Sequence, residues 1–307
     1  MTDMCNMPEL GLSHNLSPFV RQVSIQKYFN IMNEYTDPDN VFVYIQNGSC
    51  NYTLEGMTYR LDAGSVLIFP PFYSHLVVSA DTGPIVEYIF HFDLFTGKDA
   101  EMPREELLEL RRTDNAGAPP HIPGPIYKKL SLIEQNELEK KYLVMHREFC
   151  EEKPGYRLMT KALAVELLVL SLRGADTDLM PKDIGANAWS HIEKAMYYID
   201  RHSHDPDLNN SLISRQIGIS PNYLLFIFTE HLGLSVHKYL NNVRVNKAKQ
   251  MIADSDKNFT QIAYECGFSS IHTFSKIFKR EVGLSPSKYI FEIQRMDTVK
   301  KDKLSFI

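Results

Sequence analysis

What this 307-residue chain lacks narrows its function before anything it contains does. Its four cysteines, Cys5, Cys50, Cys150 and Cys266, are scattered with no CxxC pair. That excludes a disulfide framework and the short zinc and redox motifs, and leaves reduced thiols in a cytoplasmic protein. No stretch reaches about 18 consecutive uncharged apolar residues, so no transmembrane helix is expected. The first residues show no basic segment followed by an apolar core, so no signal peptide is expected either. Phosphate-cradling loops and nucleophile motifs are missing, and with them the common signs of an enzyme. Basic residues are also in short supply, with 33 Lys+Arg against 38 Asp+Glu and a net charge of −5.

That charge is unevenly spread. Residues 1–188 hold 17 basic and 26 acidic side chains, a net −9; residues 189–295 hold 13 and 10, a net +3; residues 296–307 hold 3 and 2, a net +1. The acidic half is a poor partner for nucleic acid, whereas the C-terminal part can bind it. A content of 44% hydrophobic and 23% charged residues is that of a folded protein. The length suggests about two domains.

The most ordered feature is a pattern written twice between Leu208 and Ile290. Gly218-Ile219-Ser220, Phe228, Gly233-Leu234-Ser235 and Tyr239 recur as Gly267-Phe268-Ser269, Phe278, Gly283-Leu284-Ser285 and Tyr289. The offset is 49 for the first glycine and 50 for Phe228, Gly233 and Tyr239. A period of that size marks a repeated supersecondary unit. In each copy a short apolar helix (Leu212, Ile213, Ile217; Ile262, Ala263, Cys266) stops at a glycine, which ends a helix at little steric cost. The serine after it, Ser220 or Ser269, is the expected N-cap of a second helix. Pro221 fits the first turn of that helix, where its missing N–H does no harm. Leu224, Ile227 and Phe228, and then Phe274, Ile277 and Phe278, give the second helices their apolar faces. Two helices joined by a tight glycine-bearing turn place the second in the DNA major groove. Between the copies, Val236, Tyr239, Leu240, Val243, Ala248, Met251 and Ile252 predict one amphipathic helix over 235–253. Its length of about 30 Å is close to the roughly 34 Å between successive major-groove faces.

Ile217-Gly-Ile-Ser-Pro-Asn-Tyr-Leu224, Tyr239-Leu-Asn-Asn-Val-Arg244, Ala248, Ile262-Ala263, Gly267-Phe-Ser269, Phe274-Ser-Lys-Ile-Phe-Lys279 and Gly283-Leu-Ser-Pro286 resemble the AraC/XylS family of bacterial transcriptional regulators over about a hundred residues. The resemblance implies a two-lobed, all-helical DNA-binding domain, double-stranded DNA and RNA polymerase as partners, and activation of transcription as the default. The residues expected to face DNA are Ser220, Asn222, Tyr223, Phe226, Thr229, Arg244, Ser269, Ser270, His272, Thr273, Lys276, Lys279 and Arg280. Where family members often carry a basic residue in the first recognition helix, this chain has Phe226 and Thr229, and Leu225 stands where small polar residues are common. The second keeps Lys276, Lys279 and Arg280, so it is expected to bind more strongly.

The N-terminal half reads as short strands. One covers Val20 to Ile25. From Val41 follow Val41–Gln46, Asn51–Leu54, Met57–Leu61, Ser65–Phe69, His75–Ser79 and Ile85–Phe92, separated by turns such as Asn47-Gly48 and Asp81-Thr-Gly-Pro84. That spacing predicts a small antiparallel barrel or jelly roll. Gly48, Tyr52, Gly56, Tyr59, Ala63-Gly64-Ser65, Phe69-Pro-Pro71, His75 and Tyr88…His91-Phe92 resemble the family's cupin-like sensor. This implies a small-molecule site inside the barrel, for a sugar or related metabolite. Tyr44, His75, Glu87 and His91 are the residues expected to line it; Glu87 and His91 share strand parity. Three roles stay open for the polar trio: ligand contact, structural hydrogen bonding and metal binding. No catalytic residue, cofactor or metal is assigned, because the histidine pair of catalytic cupins is reduced to the single His75 in Ser74-His75-Leu76.

Met102–Arg112, Ser131–Glu152 and Tyr156–Leu172 predict helices, with the Pro/Gly-rich Thr113–Pro125 as a loop and Arg173–Asn187 as a linker. The expected fold class is α+β and multidomain: a cupin-like sensing domain over 1–97, a helical connector over 98–174 with the homodimer interface, a linker over 175–188, a double helix-turn-helix domain over 189–292 opened by Trp189, and a tail over 293–307. Two other readings remain: a metal-dependent cupin enzyme with a helical accessory domain, and a regulator that needs no effector. No membrane partner is expected.

Overall fold

The computed structural model describes residues 16–29, 31–81, 83–113, 122, 124–173, 182–254 and 257–291. Cys5, the segments 114–121 and 174–181, and the tail 293–307 lie outside the described residues. The chain divides into two compact units, Met1–Asp183 and Ile184–Ile307.

The first unit contains strands β1 (Phe19–Tyr28), β2 (Met32–Tyr35), β3 (Asn40–Asn47), β4 (Ser49–Leu54), β5 (Met57–Asp62), β6 (Ser65–Phe69), β7 (His75–Ser79) and β8 (Ile85–Asp93). Helix α1 (Arg104–Thr113), strand β9 (Ile126–Lys129), helices α2 (Leu132–Glu151) and α3 (Tyr156–Leu172), and strand β10 (Lys182–Asp183) follow. The strands form two five-stranded sheets, β1-β8-β3-β6-β9 and β10-β5-β4-β7-β2. Every pairing is antiparallel.

Strand parity sorts the first sheet into two apolar faces. Val41, Val43, Ile45 and Ile89 face the second sheet, meeting Tyr52, Leu54, Leu61 and Val77. Phe42, Tyr44, Tyr88, Phe90 and Phe92 face the other way, onto Leu138, Tyr142 and Met145 of α2 and Leu163, Leu167 and Leu168 of α3. Both faces being buried explains why β3 from Val41 to Ile45 is an unbroken apolar run and why β8 carries apolar residues on both faces around Glu87 and His91, rather than a simple alternation. Ser131 starts α2 with a capping box: its side chain accepts from the Glu134 backbone N–H, and the Glu134 carboxylate accepts from the Ser131 backbone N–H. Tyr142 stacks on Tyr88 at 4.7 Å and its hydroxyl lies 2.6 Å from the Ile89 carbonyl.

These contacts correct the expected division at residue 97. The helical stretch is not a separate connector; α2 and α3 close the outer core of the barrel within one compact unit. Three strands are also absent from the sequence reading. β2, β9 and β10 are four, four and two residues long and pair with β7, β6 and β5. Too short to show a period, they exist because a neighbouring strand edge offers them partners. β10 falls within the stretch expected to be linker.

The second unit is helical: α4 (Ala186–His202), α5 (Asn210–Ile217), α6 (Pro221–Leu232), α7 (Val236–Asp254), α8 (Phe259–Glu265) and α9 (Ile271–Val282), with a further helical stretch over 286–291. α4 opens at Ala186, three residues before Trp189. α7 is continuous, and its 19 residues span about 28 Å. Gly218 and Gly267 adopt φ of 78° and 84° at the two turns, as the repeat requires. Gly267 has a second reason to lack a side chain, since a Cβ there would collide with the Ser203 carbonyl.

The cap of the second recognition helix is corrected by one position. Ser220 caps α6, accepting from Tyr223 N at 3.1 Å, but α9 is capped by Ser270, not Ser269, which accepts from Thr273 N at 3.1 Å. The second turn is therefore one residue longer. This is where the glycine offset of 49 becomes the helix offset of 50.

Candidate functional site

Two places gather the residues singled out by sequence. The first is the outer face of the paired helix-turn-helices. On α6, Leu224, Ile227, Phe228 and Leu232 are buried, which leaves Asn222, Tyr223, Phe226 and Thr229 exposed. On α9, Phe274 and Phe278 are buried, which leaves His272, Thr273, Lys276, Lys279 and Arg280 exposed. Each exposed set follows helical spacing along one side of its helix. Ser220 and Ser270 serve as N-caps, and Ser269 is exposed in the turn. The Arg280 guanidinium is turned to Glu281, 2.5 Å away.

Arg244 does not belong with them. It is 7% exposed, and its guanidinium donates to the Ser203 carbonyl at 2.8 Å and the Asp205 carbonyl at 2.7 Å. It lies over the Phe268 ring at 5.8 Å. A side chain so enclosed ties the end of α4 to α7 and the second lobe, and cannot contact DNA in this fold.

The second place is a cavity of about 110 Å³ between the two sheets of the first unit. His75, Glu87 and His91 all line it, as expected. Tyr44 does not: it has the opposite strand parity to Val43 and Ile45, packs in the outer core, and donates to Glu139 of α2 at 2.7 Å. Tyr52, matched by sequence to the sensor pattern but given no ligand role, also lines the cavity, as do Gln22, Gln26, Tyr28, Tyr35, Asp37 and Arg104, which escaped the sequence reading. For Gln22 and Gln26 the missing information was the pairing of β1 with β8, which sets Gln22 opposite His91 and Gln26 opposite Glu87.

The cavity wall carries several buried polar side chains, among them Asp37, His75, Glu87 and His91. Glu87 is 1% exposed and accepts from the Tyr52 hydroxyl at 3.2 Å, with the Cys50 thiol at 3.5 Å. Burial raises its carboxyl to about 7 against the favourable hydrogen bonds from Cys50 and Tyr52. Burial acts oppositely on His75, lowering it to about 4, so the neutral imidazole is favoured; its Nδ1 lies 3.1 Å from the Tyr73 carbonyl. Burial, with Glu87 nearby, also pushes the Tyr28 hydroxyl up.

Asp37, Asp39 and His91 present ligand-capable atoms within 4.8 Å of one another, all buried. His91 Nδ1 lies 3.0 Å from Asp39 and 3.3 Å from the Arg104 guanidinium, which also pairs with Asp37. Arg104 thus already supplies a positive charge to this cluster, and a metal ion there would have to displace it. α1, which carries Arg104, is fixed by Arg111, whose guanidinium donates to Asp93 at 2.9 Å and to the Pro38 carbonyl at 2.6 Å.

Comparison with known proteins places both sites in context. Residues 32–168 match the AraC-like ligand binding domain, and residues 213–290 match a helix-turn-helix domain. An HTH-type transcriptional activator RhaS from Enterobacter sp. (strain 638) is 23% identical over 250 residues, which is 80% of this chain and 82% of that protein. An uncharacterized HTH-type transcriptional regulator from Staphylococcus aureus (strain COL) is 38% identical over 98 residues, covering 32% of this chain and only 13% of that relative's length. Among solved structures, the C-terminal domain of AraT, a response regulator from Geobacillus stearothermophilus, is 28% identical, with 33% of this chain and 84% of that chain covered and a TM-score of 0.33. The two domain models follow one another in the order of the two units and between them take in well over half of the sequence, so the chain belongs to the AraC/XylS family of transcriptional regulators.

Proposed function

We propose that this chain binds a specific double-stranded DNA site through α6 and α9, takes a sugar or related small metabolite into the barrel cavity, and in response activates transcription by RNA polymerase. The observation that carries the DNA half is the repeat itself: two capped recognition helices with exposed polar and aromatic stripes, joined by the unbroken α7. The effector half rests on the cavity, whose amides, hydroxyls and carboxylates suit a polyhydroxylated ligand and whose Tyr28, Tyr35 and Tyr52 offer ring faces. Activation is supported by the RhaS relatives, which are named as transcriptional activators. The relatives are regulators, and no catalytic step is assigned to the chain.

A homodimer is part of this reading. Leu132, Ile133, Leu143 and Leu158 stand exposed on α2 and α3, the hairpin expected at the interface. Ligand binding would then shift the population of the form able to occupy the site.

Fluorescence anisotropy on the chain's own upstream DNA against scrambled DNA, across a salt series, tests the proposal. Preferential binding with a steep salt slope supports it; equal, weak binding to both counts against it. Within that assay Lys276→Ala should weaken binding more than Asn222→Ala, because α9 carries the basic residues; the reverse order would sink the assignment of the stronger grip to the second lobe. A sugar panel in thermal unfolding tests the effector: a true ligand at about 100 times its Kd adds about 2.7 kcal/mol of stability to the unit.

A further inference from the structure

The offset of 50 between the recognition helices puts Asn222 and His272, Tyr223 and Thr273, Phe226 and Lys276, and Thr229 and Lys279 in equivalent slots. All eight are exposed. The slots are the same and the chemistry is opposite. α9 offers ammonium groups at two of them. Between Pro221 and Leu232, α6 has neither lysine nor arginine.

In place of Lys276 stands Phe226, 56% exposed. It is not a displaced core residue, because Leu224, Ile227 and Phe228 already fill the core side of α6. Its ring is steadied by neighbours, 6.4 Å from Tyr223 in a stacked arrangement and 6.3 Å from His231 edge-on. Leu225 beside it is 37% exposed. The helix therefore presents a fixed apolar and aromatic surface where its twin presents charge.

A helix so equipped has a narrow reading vocabulary. Guanine is read chiefly by Arg or Lys, and α6 has none. The major groove displays one apolar group, the C5-methyl of thymine, and adenine is the partner of an Asn side chain. Resting on the reading of α6 as a DNA-binding helix, we propose that Phe226, supported by Tyr223 and Leu225, specifies thymine by seating its methyl group, with Asn222 on a neighbouring adenine. The half of the DNA site under the first lobe is then A·T-rich, and its recognition is apolar rather than electrostatic.

The test uses the full chain. A site is selected from a random duplex library, and each thymine of the selected duplex is replaced in turn by uracil, which removes the methyl and nothing else. At one or more positions confined to one half-site, affinity should fall about threefold to fourfold per contacted methyl, the effect of one methylene-sized apolar group. In Phe226→Ala those same positions should become indifferent to the exchange. Indifference of the unaltered chain to uracil everywhere, or a full uracil effect persisting in Phe226→Ala, overturns the proposal. Because the first arm uses the unaltered chain, it does not depend on the variant folding. Selection that enriches no sequence would instead bring down the DNA-binding reading itself.

Discussion

Arg244 shows how a single residue can be misassigned from sequence. A basic side chain in a matched motif reads as a phosphate contact, but the three-dimensional structure gives it two backbone carbonyls and an aromatic ring inside the fold. Arg244→Ala should destabilise the second unit by about 3 kcal/mol, since it leaves the buried Ser203 carbonyl and the half-buried Asp205 carbonyl without their charged donor. The salt slope of DNA binding by the folded variant should stay unchanged; a slope lowered by about one would restore Arg244 as a phosphate contact. Tyr44 was wrongly assigned to the cavity for a different reason: strand parity sorts side chains into two faces but does not say which face is the cavity. Glu87 and His91 were legible because a carboxylate and an imidazole among apolar residues of one strand require partners wherever they point. Burial then couples Glu87 and His75 to pH in opposite senses. Glu87, raised to about 7, favours the fold fully below about 4.5 and loses that contribution as pH rises to 7. His75, lowered to about 4, favours it fully above 6.5 and loses that contribution as pH falls. Between pH 4.5 and 6.5 the two slopes cancel. Glu87→Gln should expose the His75 slope, with stability rising by about 1.4 kcal/mol per pH unit over that window. Urea unfolding at stepped pH measures it, and a flat profile in the variant would refute the opposition.

Among elements, length decided what could be read. α7 and α2 run for 19 and 20 residues, long enough for periodicity and capping signals to agree. Strands β2, β9 and β10 carry no such signal, and their existence depends on edges formed elsewhere in the chain. Cap identity failed by one residue because Ser269 and Ser270 are equally good caps in isolation. The choice is made by the longer turn, which puts Ser270 within reach of Thr273 N. Ser270→Ala should accordingly cost about 1 kcal/mol, while Ser269→Ala should stay within about 0.5 kcal/mol of the parent. Thermal unfolding of the two variants decides between the registers, and the opposite ranking would reinstate Ser269.

For the whole molecule, the sequence conveyed the two-part plan through the repeat, the strand spacing and the uneven charge, but it cut the first part too short. A sheet buried on both sides looks the same in sequence whether its outer cover is a separate domain or its own C-terminal helices. The cover here comes from α2 and α3. A fragment ending at residue 97 would leave Val20, Val23, Phe42, Phe90 and Phe92 facing water, whereas one ending at Asp183 keeps them covered. We expect the longer fragment to elute as a discrete species in size-exclusion chromatography and the shorter one to aggregate; a soluble, folded short fragment would contradict this account of the core.

The same arrangement sets a timetable for the ribosome. Strand β8 must be made before β1 and β3 have their shared neighbour, and the sheet is complete in outline by Asp93 apart from β9. The helices that cover its outer aromatic face end roughly 80 residues later, which at about 5–20 residues per second is roughly 4–16 s of synthesis. For that interval the nascent chain carries a bare apolar sheet, and the pace of translation across the intervening codons, rather than any residue in them, governs how long neighbouring chains have to find it.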